Sequence, residues 1–106
     1  MTLLSLFKGL ADPIRLRIFH LLTQKDELCV CHITDALNLP QSTVSRHLNT
    51  LKHAELVAAE RRGKWVYYRL HEKHSSTTQI ASFVKTLSGN DPQLQRDMEN
   101  LKVTSC

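Results

Sequence analysis

Residues 29–53 read CVCHITDALNLPQSTVSRHLNTLKH, a stretch with two apolar stripes of helical period on either side of a break. The first stripe ends at Leu37. Asn38 and Pro40 then interrupt the helix, because asparagine tolerates a left-handed turn and proline restricts the residue before it. A second helix follows over 41–53, with a polar face opposite its apolar one. A short helix, a tight turn and a second helix with a hydrogen-bonding outer face predict a helix-turn-helix, whose second member fits the major groove of DNA.

The flanking segments predict one domain that is mainly α-helical with a two-stranded β-hairpin, the order of a winged helix-turn-helix. Before the motif, Asp12 and Pro13 predict a helix start, since aspartate caps a helix and proline is tolerated at the first helical position. After the motif, the apolar period changes from helical to alternating, which predicts two strands. The predicted elements are helices over 3–11, 13–22, 29–37 and 41–53, strands over 56–60 and 65–70, a helix over 77–87 and a last helix after Pro92.

Size and composition indicate a single globular domain over residues 1–106. Apolar residues make up 42% and charged residues 23% of the chain, values of a folded protein rather than a disordered one. No apolar run reaches the length of a transmembrane helix. Lys8, Asp12 and Arg15 interrupt the apolar opening before the core of a signal peptide develops. We therefore expect a cytoplasmic protein without a membrane partner, in a compartment where thiols stay reduced.

The net charge of +4 is concentrated in residues 41–73. That stretch holds seven Lys and Arg residues against three Glu residues, whereas the segments before and after it are balanced. A charge-rich stretch alone is equally consistent with a solvated surface. Its coincidence with the helix-turn-helix and the hairpin favours nucleic-acid binding.

Two groups of side chains are candidates for DNA contact. The first lies on the second motif helix, where glutamine suits adenine and arginine suits guanine, although Ser42 and Thr43 have an alternative role as helix caps. The second lies on the hairpin tip, where cations have little structural use and phosphate or minor-groove contact is the better interpretation. The candidates are Gln41, Ser42, Thr43, Ser45, Arg46 and His47 on the helix, and Arg61, Arg62 and Lys64 on the tip.

Three separate stretches have distinctive sequences: residues 27–31 read ELCVC, 45–48 read SRHL and 63–70 read GKWVYYRL. Together they closely resemble the ArsR/SmtB family of metalloregulatory repressors, with a likeness that covers about 3–87 and is nearest to the arsenic-responsive branch. The resemblance implies a homodimer that leaves its operator when a toxic metal or metalloid binds. It divides the chain into dimerisation helices within 1–11 and 75–101, a helix-turn-helix over 29–53, a wing over 56–70 and a tail over 102–106.

Cys29 and Cys31 are the expected ligands of the inducer. Thiolates bind soft ions, and the N-terminus of a helix favours negative charge. Residues two apart do not face each other in a regular helix, so joint ligation requires an extended or distorted first turn. Ligation would then strain the element that positions the groove-reading helix, and the affinity for DNA should drop. The alternative interpretation is that both cysteines are small buried apolar residues.

The third ligand is open, because this chain departs from the C-x-C-x-x-C pattern common among arsenic-responsive members. His32 stands where an acidic residue is usual, and Thr34 replaces the third cysteine. Cys106 is a candidate ligand from the tail, within one subunit or across the dimer. The alternatives are an external thiol or hydroxide, or a methylated arsenical that needs only two protein sulfurs. His32 leaves cadmium and zinc as alternative ligands of the site, since imidazole and thiolate together suit both metals.

The expected inducer is trivalent arsenic, as arsenite, a methylated arsenical or antimonite, and the expected partner is double-stranded operator DNA. Rival interpretations are a repressor that responds to oxidants or persulfides, a cadmium, zinc or lead sensor of the same fold, and a DNA-packaging protein without an operator. A dithiol redox enzyme is disfavoured, because no thioredoxin-like pattern surrounds the cysteines and no catalytic motif occurs elsewhere. We therefore expect no enzymatic activity, no organic cofactor and no protein substrate.

Overall fold

The computed structural model describes residues 2–102, which form six α-helices, one short 3₁₀ turn and a small antiparallel sheet. The predicted helices are confirmed, with boundaries that differ by a few residues. In chain order the elements are α1 (Leu3–Leu10), α2 (Pro13–Gln24), β1 (Leu28–Cys29), α3 (Val30–Leu37), α4 (Gln41–His53), β2 (Val57–Arg62), β3 (Trp65–Leu70), α5 (Ser75–Leu87), the 3₁₀ turn Ser88–Asn90 and α6 (Pro92–Asn100).

The helix boundaries follow from local capping chemistry. The Asp12 carboxylate accepts hydrogen bonds from the backbone N–H groups of Ile14 and Arg15 at the start of α2. Asp91 does the same for α6. Asn38, at the end of α3, adopts the left-handed conformation with φ 54°, as the sequence predicted for the turn between the motif helices. The aspartate caps thus fix where α2 and α6 begin, and Asn38 fixes where α3 ends.

The core lies between α2, α3 and α4. Ile18 and Phe19 of α2 are fully buried, as are Val44, Leu48 and Leu51 of α4. Burial of each such side chain stabilises the fold by about 1.5–3 kcal/mol relative to exposure, before entropy is counted. The apolar stripe of α4 is therefore committed to the interior, which leaves its opposite face to solvent.

The expected two-stranded hairpin is confirmed as β2 and β3, and a third strand that the sequence did not predict extends the sheet in the order β1-β3-β2. The extra strand β1 pairs antiparallel with β3 through Leu28 opposite Tyr68 and Cys29 opposite Tyr67. The hairpin of β2 and β3 turns at Gly63, whose φ of +64° favours glycine. The segment before α3 is thus part of the sheet that carries the wing.

The last helix is tied to the helix-turn-helix by a buried ion pair. Arg17 of α2 donates to the Asp97 carboxylate of α6 through Nε (2.9 Å) and Nη2 (3.0 Å), and Nη2 also lies 3.3 Å from the carbonyl oxygen of Leu37. The Asp97 side chain is only 1% exposed. Because Leu37 is the last residue of α3, this guanidinium connects α6 to the turn of the motif.

Large apolar side chains remain exposed on α1 and α5, the helices that the resemblance assigns to dimerisation. A shallow groove lined by residues of both helices shows that the two lie side by side. None of the helices within residues 2–102 combines the length and the hydropathy needed to cross a bilayer. The exposed apolar residues are Leu3, Leu4, Phe7, Phe83 and Leu87.

Candidate nucleic-acid interface and thiol site

The outer face of α4 presents polar side chains with no internal partner. Within residues 2–102, five of the six predicted contact residues on this helix make no side-chain hydrogen bond or ion pair. Gln41, Ser42 and Arg46 are exposed, and Thr43 and Ser45 are half-buried. A face of this kind, opposite a buried stripe, is available to the edges of bases.

The start of α4 is uncapped by any side chain. Its N-cap is Pro40, whose carbonyl oxygen accepts from the backbone N–H groups of Thr43 and Val44, and no side chain accepts a capping hydrogen bond. The alternative role of Ser42 and Thr43 as caps is therefore wrong. Ser42 is exposed and Thr43 half-buried at the positive end of the helix, a position that suits a phosphate.

His47 lies off this outer face, and its contact with DNA stays a prediction. It lies beside Leu48 on the flank of the buried stripe, and its side chain is only 12% exposed. Its Nδ1 is 3.3 Å from Nη1 of Arg15 and 3.9 Å from a carboxylate oxygen of Asp12. Arg15 also donates to backbone carbonyls at the end of α1. His47 thus joins α4 to the junction of α1 and α2.

Arg61 and Lys64 are two exposed cations of the wing, where Arg62 and Arg69 are exposed as well. Arg61 belongs to β2 rather than to the turn, and its only hydrogen bond within residues 2–102 is a long one of 3.5 Å to the carbonyl of Gly63. The Lys64 ammonium lies 5.3 Å from the ring centroid of Trp65. Both side chains can reach a phosphate without breaking a strong internal contact.

Arg62 has a structural role, which corrects the expectation that the cations of the tip have none. Its Nη1 and Nη2 donate to the two carboxylate oxygens of Glu27 at 2.6 and 2.8 Å, and its Nε donates to Glu60 at 2.8 Å. The guanidinium carbon lies 4.6 Å from the ring centroid of Tyr67. The hydrogen bonds from Arg62 hold the pKa of Glu27 below its ordinary value. Arg62 is therefore engaged by protein groups although its side chain is 44% exposed, and its contact with DNA stays a prediction.

The two neighbouring cysteines lie on different elements. Cys29 is the last residue of β1 and the N-cap of α3, with extended backbone angles (φ −71°, ψ 152°) and 1% exposure. Cys31 is the second residue of α3 and is half-buried. The backbone at Cys29 is extended, and Cys29 is a free thiol, whereas Cys31 is in a disulfide and must be reduced before it can serve as a thiolate ligand. Cys106, the candidate third ligand, lies outside the described residues.

His32 packs directly against Cys29. It is 8% exposed, and its Nδ1 accepts the backbone N–H of Cys29 at 3.2 Å, while the Cys29 side chain faces the backbone N–H of His32. This is a capping box in which histidine takes the usual place of glutamate. Within the described ranges, no three His, Cys, Asp or Glu side chains gather closely enough to hold a metal ion. A third protein ligand beside Cys29 and Cys31 would therefore come from outside the described residues, whereas a methylated arsenical would need none.

His71 and His74 lie before α5 rather than on a helix face. The rings stack at 5.7 Å between centroids, and Nε2 of His74 lies 2.9 Å from the Glu55 carboxylate. This hydrogen bond lowers the pKa of Glu55. Sequence spacing indicated the two histidines but not the contact of His74 with Glu55, a residue that follows α4 in the chain. The contact joins α4 to the start of α5.

Comparison with known proteins places these features in context. Residues 12–59 match the family described as bacterial regulatory protein, arsR family. The arsenic resistance transcriptional regulator ArsR1 of Pseudomonas putida is 51% identical over 65 residues, which are 61% of this chain and 51% of that protein. The arsenical resistance operon repressor of Escherichia coli is 48% identical over 67 residues, 63% of this chain and 57% of that protein.

A third relative is named for a different metal. The cadmium resistance regulatory protein CadC of Listeria innocua is 47% identical over 62 residues, 58% of this chain and 52% of that protein. The matched part of the chain therefore spans little more than half the length of these three curated relatives.

Solved structures share the fold over most of the chain. The antimony-specific transcriptional repressor AntR has a TM-score of 0.69 at 28% identity, covering 85% of this chain and 79% of that one. The homodimeric winged helix-turn-helix DNA-binding domain Mb0332 of Mycobacterium bovis has a TM-score of 0.69 at 31% identity, covering 82% and 78%. These relatives are transcriptional regulators, not enzymes, and the winged helix-turn-helix prediction is confirmed.

Proposed function

This chain belongs to the ArsR family of bacterial regulatory proteins, and on that premise we propose that it represses transcription as a homodimer on operator DNA. We propose further that it releases the operator when trivalent arsenic binds its cysteine thiolates. The observation that carries the proposal is the combination of an outer α4 face with no internal partners and a pair of cysteines at the start of the preceding helix.

The DNA-reading part of the proposal rests on α4 and the wing. Gln41 and Arg46 are exposed and carry side chains suited to adenine and guanine. Ser42, with the uncapped first turn, suits a phosphate. Arg61 and Lys64 add cations on the wing. A dimer would present two such sets to half-sites about one helical turn apart.

The dimeric part rests on the exposed apolar residues of α1 and α5. Leu3 is 70% exposed and Phe83 is 59% exposed, and their helices are adjacent. Burial of such side chains in a partner interface is favourable at about 25 cal/mol per Å² of apolar surface. The similar Mb0332 domain is homodimeric, which supports the same assembly here.

The ligand part rests on Cys29 and Cys31 and on the names of relatives. Two cysteines at the start of α3 suit a thiophilic ion. Regulators named for arsenic, antimony and cadmium are all similar to this chain, so the ligand class is a soft metal or metalloid. We choose trivalent arsenic because of the arsenic-resistance relatives, with Cys106 or an external thiol or hydroxide as the third ligand.

The DNA proposal is tested with fluorescence anisotropy on a two-fold operator and on a scrambled duplex, over a range of salt. Arg46→Ala should weaken operator binding more than binding to the scrambled duplex, because Arg46 should reach a base. Lys52→Ala is the matched control, since Lys52 is an exposed cation at the other end of α4. Equal losses on both duplexes would contradict base reading. Indifference of the wild type to sequence would indicate a packaging protein instead.

The inducer proposal is tested with a panel of arsenite, antimonite, cadmium, zinc, lead, peroxide and polysulfide. Arsenite should release the operator and produce sulfur-to-arsenic absorbance, and both effects should be lost in Cys29→Ser and Cys31→Ser. Cys106→Ser separates a third thiolate from an external ligand, since only the former lowers the absorbance. Release by peroxide or polysulfide but not by arsenite would replace the metalloid sensor with a thiol-redox one.

A further inference from the structure

The C-terminal end of α1 is held by the side chain of Arg15 in α2. Arg15 donates from Nε to the carbonyl oxygen of Gly9 at 2.8 Å and from Nη2 to that of Lys8 at 3.1 Å. Both carbonyls belong to the last turn of α1, where backbone acceptors lack partners within the helix. Arg15 therefore supplies these acceptors with a cation, the charge that the helix dipole favours at this end.

His47 brings α4 into contact with the same guanidinium. Its Nδ1 lies 3.3 Å from Nη1 of Arg15, and because a guanidinium carries only donors, Nδ1 accepts this hydrogen bond. Both side chains are mostly buried, so water competes weakly with the contact. Arg15 thus connects α1, α2 and α4, at a residue of α4 that directly follows Arg46, the expected base reader.

A close approach at Gly9 seats the same turn of α1 against the end of α4. A Cβ atom placed on Gly9 would lie 2.6 Å from Cδ1 of Leu56 and 3.6 Å from Cβ of Ala54. Ala54 is the C-cap of α4, and the backbone N–H of Leu56 donates to the carbonyl of Leu51 within α4 at 3.0 Å. Because Leu56 is fully buried, a side chain at position 9 requires α1 or Leu56 to shift.

Helix α1 depends on such contacts for its position. It contains eight residues, fewer than an isolated helix needs to be stable in water. Its buried residues are Leu6 and Gly9, whereas Leu3, Leu4 and Phe7 are exposed and belong to the face that we place in the dimer interface. The position of α1 on its own subunit therefore decides where the partner subunit lies.

We propose that Arg15 and His47 form a positioning pair that sets the distance and angle between the two α4 helices of the dimer. His47 holds Arg15, Arg15 holds α1, and α1 holds the partner subunit. The pair thus makes the protein selective for the spacing of the two operator half-sites, through a role of His47 that requires no contact with DNA. This inference rests on the proposed function for the dimer and its operator.

The first experiment measures selectivity for half-site spacing. A two-fold duplex is selected from a random library, and a second duplex carries one extra base pair between its half-sites. The extra pair displaces one half-site by about 3.4 Å and turns it by about 35°. The spacing ratio is the dissociation constant on the lengthened duplex divided by that on the original one. His47→Leu should lower this ratio by about 2- to 10-fold, the range of one hydrogen bond.

His47→Asn is the matched control. Its side-chain oxygen can take the place of Nδ1 and accept from Arg15, whereas His47→Leu removes the acceptor at similar volume. His47→Asn should therefore keep the wild-type spacing ratio. Sedimentation velocity should show a dimer for the wild type and both variants. Equal spacing ratios in the two variants, or a monomeric His47→Leu, would overturn the inference.

A direct contact between His47 and DNA gives a different result. Loss of a contact with a base or a phosphate weakens binding to the original and the lengthened duplex by the same factor, so the spacing ratio stays unchanged. That pattern in His47→Leu would overturn the inference and would support the contact predicted from the sequence.

The second experiment perturbs the same attachment from the side of α1. Gly9→Ala places a methyl group against Leu56, so it should lower the spacing ratio even though alanine favours helix formation. Gly89→Ala is the matched control, because nothing lies within 4 Å of a Cβ atom at this position of the 3₁₀ turn. An unchanged spacing ratio in Gly9→Ala would overturn the control of spacing by α1.

Hydrogen exchange of the DNA-free protein separates this inference from the proposed function. In His47→Leu the amides of α1 should exchange faster than in the wild type, while those of α3 should not change. If α1 exchanges faster but the wild type is indifferent to DNA sequence, the repressor proposal fails and the attachment of α1 stands. If the wild type prefers its operator but neither α1 exchange nor the spacing ratio changes in His47→Leu, the repressor stands and the inference is wrong.

Discussion

Removal of the Asp97 carboxylate should lower the free energy of unfolding more than any substitution of an exposed residue on α6. Asp97 is 1% exposed and accepts two hydrogen bonds from Arg17, and a third from Gln93 at 3.1 Å. Truncating one member of a buried ion pair costs about 3–5 kcal/mol, because the other charge stays buried without a partner. Arg17 is 18% exposed and can recover part of its hydration, so the lower end applies to Asp97→Ala.

A loss of about 3 kcal/mol is a large share of the free energy of unfolding of a domain of this size, which is about 5–15 kcal/mol. Urea unfolding followed by circular dichroism measures the loss, at one fixed protein concentration because dimerisation contributes to the apparent stability. Glu99→Ala, an exposed carboxylate on the same helix, is the control and should change stability by less than about 0.5 kcal/mol. Asp97→Asn should fall between the two, since the amide still accepts from Gln93.

A double variant tests the physical reason. Arg17→Met together with Asp97→Ala should be more stable than Asp97→Ala alone, because no unpaired charge remains buried. A loss below about 1 kcal/mol for Asp97→Ala would show that the pair does not hold α6. Additive losses in the double variant would show that the charge of Arg17 is not the cause.

Three further predictions concern other parts of the fold. His20 is fully buried with no hydrogen-bond partner for either ring nitrogen among the described residues, and burial lowers its pKa. As the pH falls below about 6.5, His20 takes up a proton in the unfolded chain but not in the folded one, so the free energy of unfolding should fall by up to about 1.4 kcal/mol per pH unit in thermal melts. His20→Leu should remove this pH dependence. Equal pH dependence in the wild type and His20→Leu would contradict the prediction. Gly63→Ala should destabilise the wing by about 1 kcal/mol from its φ alone, because open space surrounds the new methyl group, and hydrogen exchange of the β2 and β3 amides measures the loss. Phe83→Lys should shift the dimer towards monomer in sedimentation velocity, whereas an unchanged dimer would remove α5 from the interface.

The sequence predicted the elements whose signals are local. Asp12 and Pro13 marked the start of α2, and Asn38 and Pro40 marked the turn of the motif, because caps and restricted dihedral angles act within a few residues. It did not predict β1, since a strand of two residues has no alternation of its own. That strand exists because β3 offers it an edge.

The candidate site was predictable in its residue types but not in its contacts. The count of cations over 41–73 could not distinguish Arg61, whose side chain makes only a long hydrogen bond to Gly63, from Arg62, whose partner Glu27 is 35 positions away. His47 looked available because polar residues surround it in sequence, yet helical periodicity turns it towards Arg15. Long-range pairing of charges decides these roles, and a single sequence does not record it.

The central claim is that the sulfurs of Cys29 and Cys31 control the affinity of the protein for operator DNA. Its most direct measurement is the operator dissociation constant with and without arsenite, for the wild type and for the Cys29→Ser, Cys31→Ser double variant. The account predicts that arsenite raises the constant of the wild type at least tenfold and leaves that of the double variant unchanged. Release of the operator by arsenite from the double variant would contradict the account.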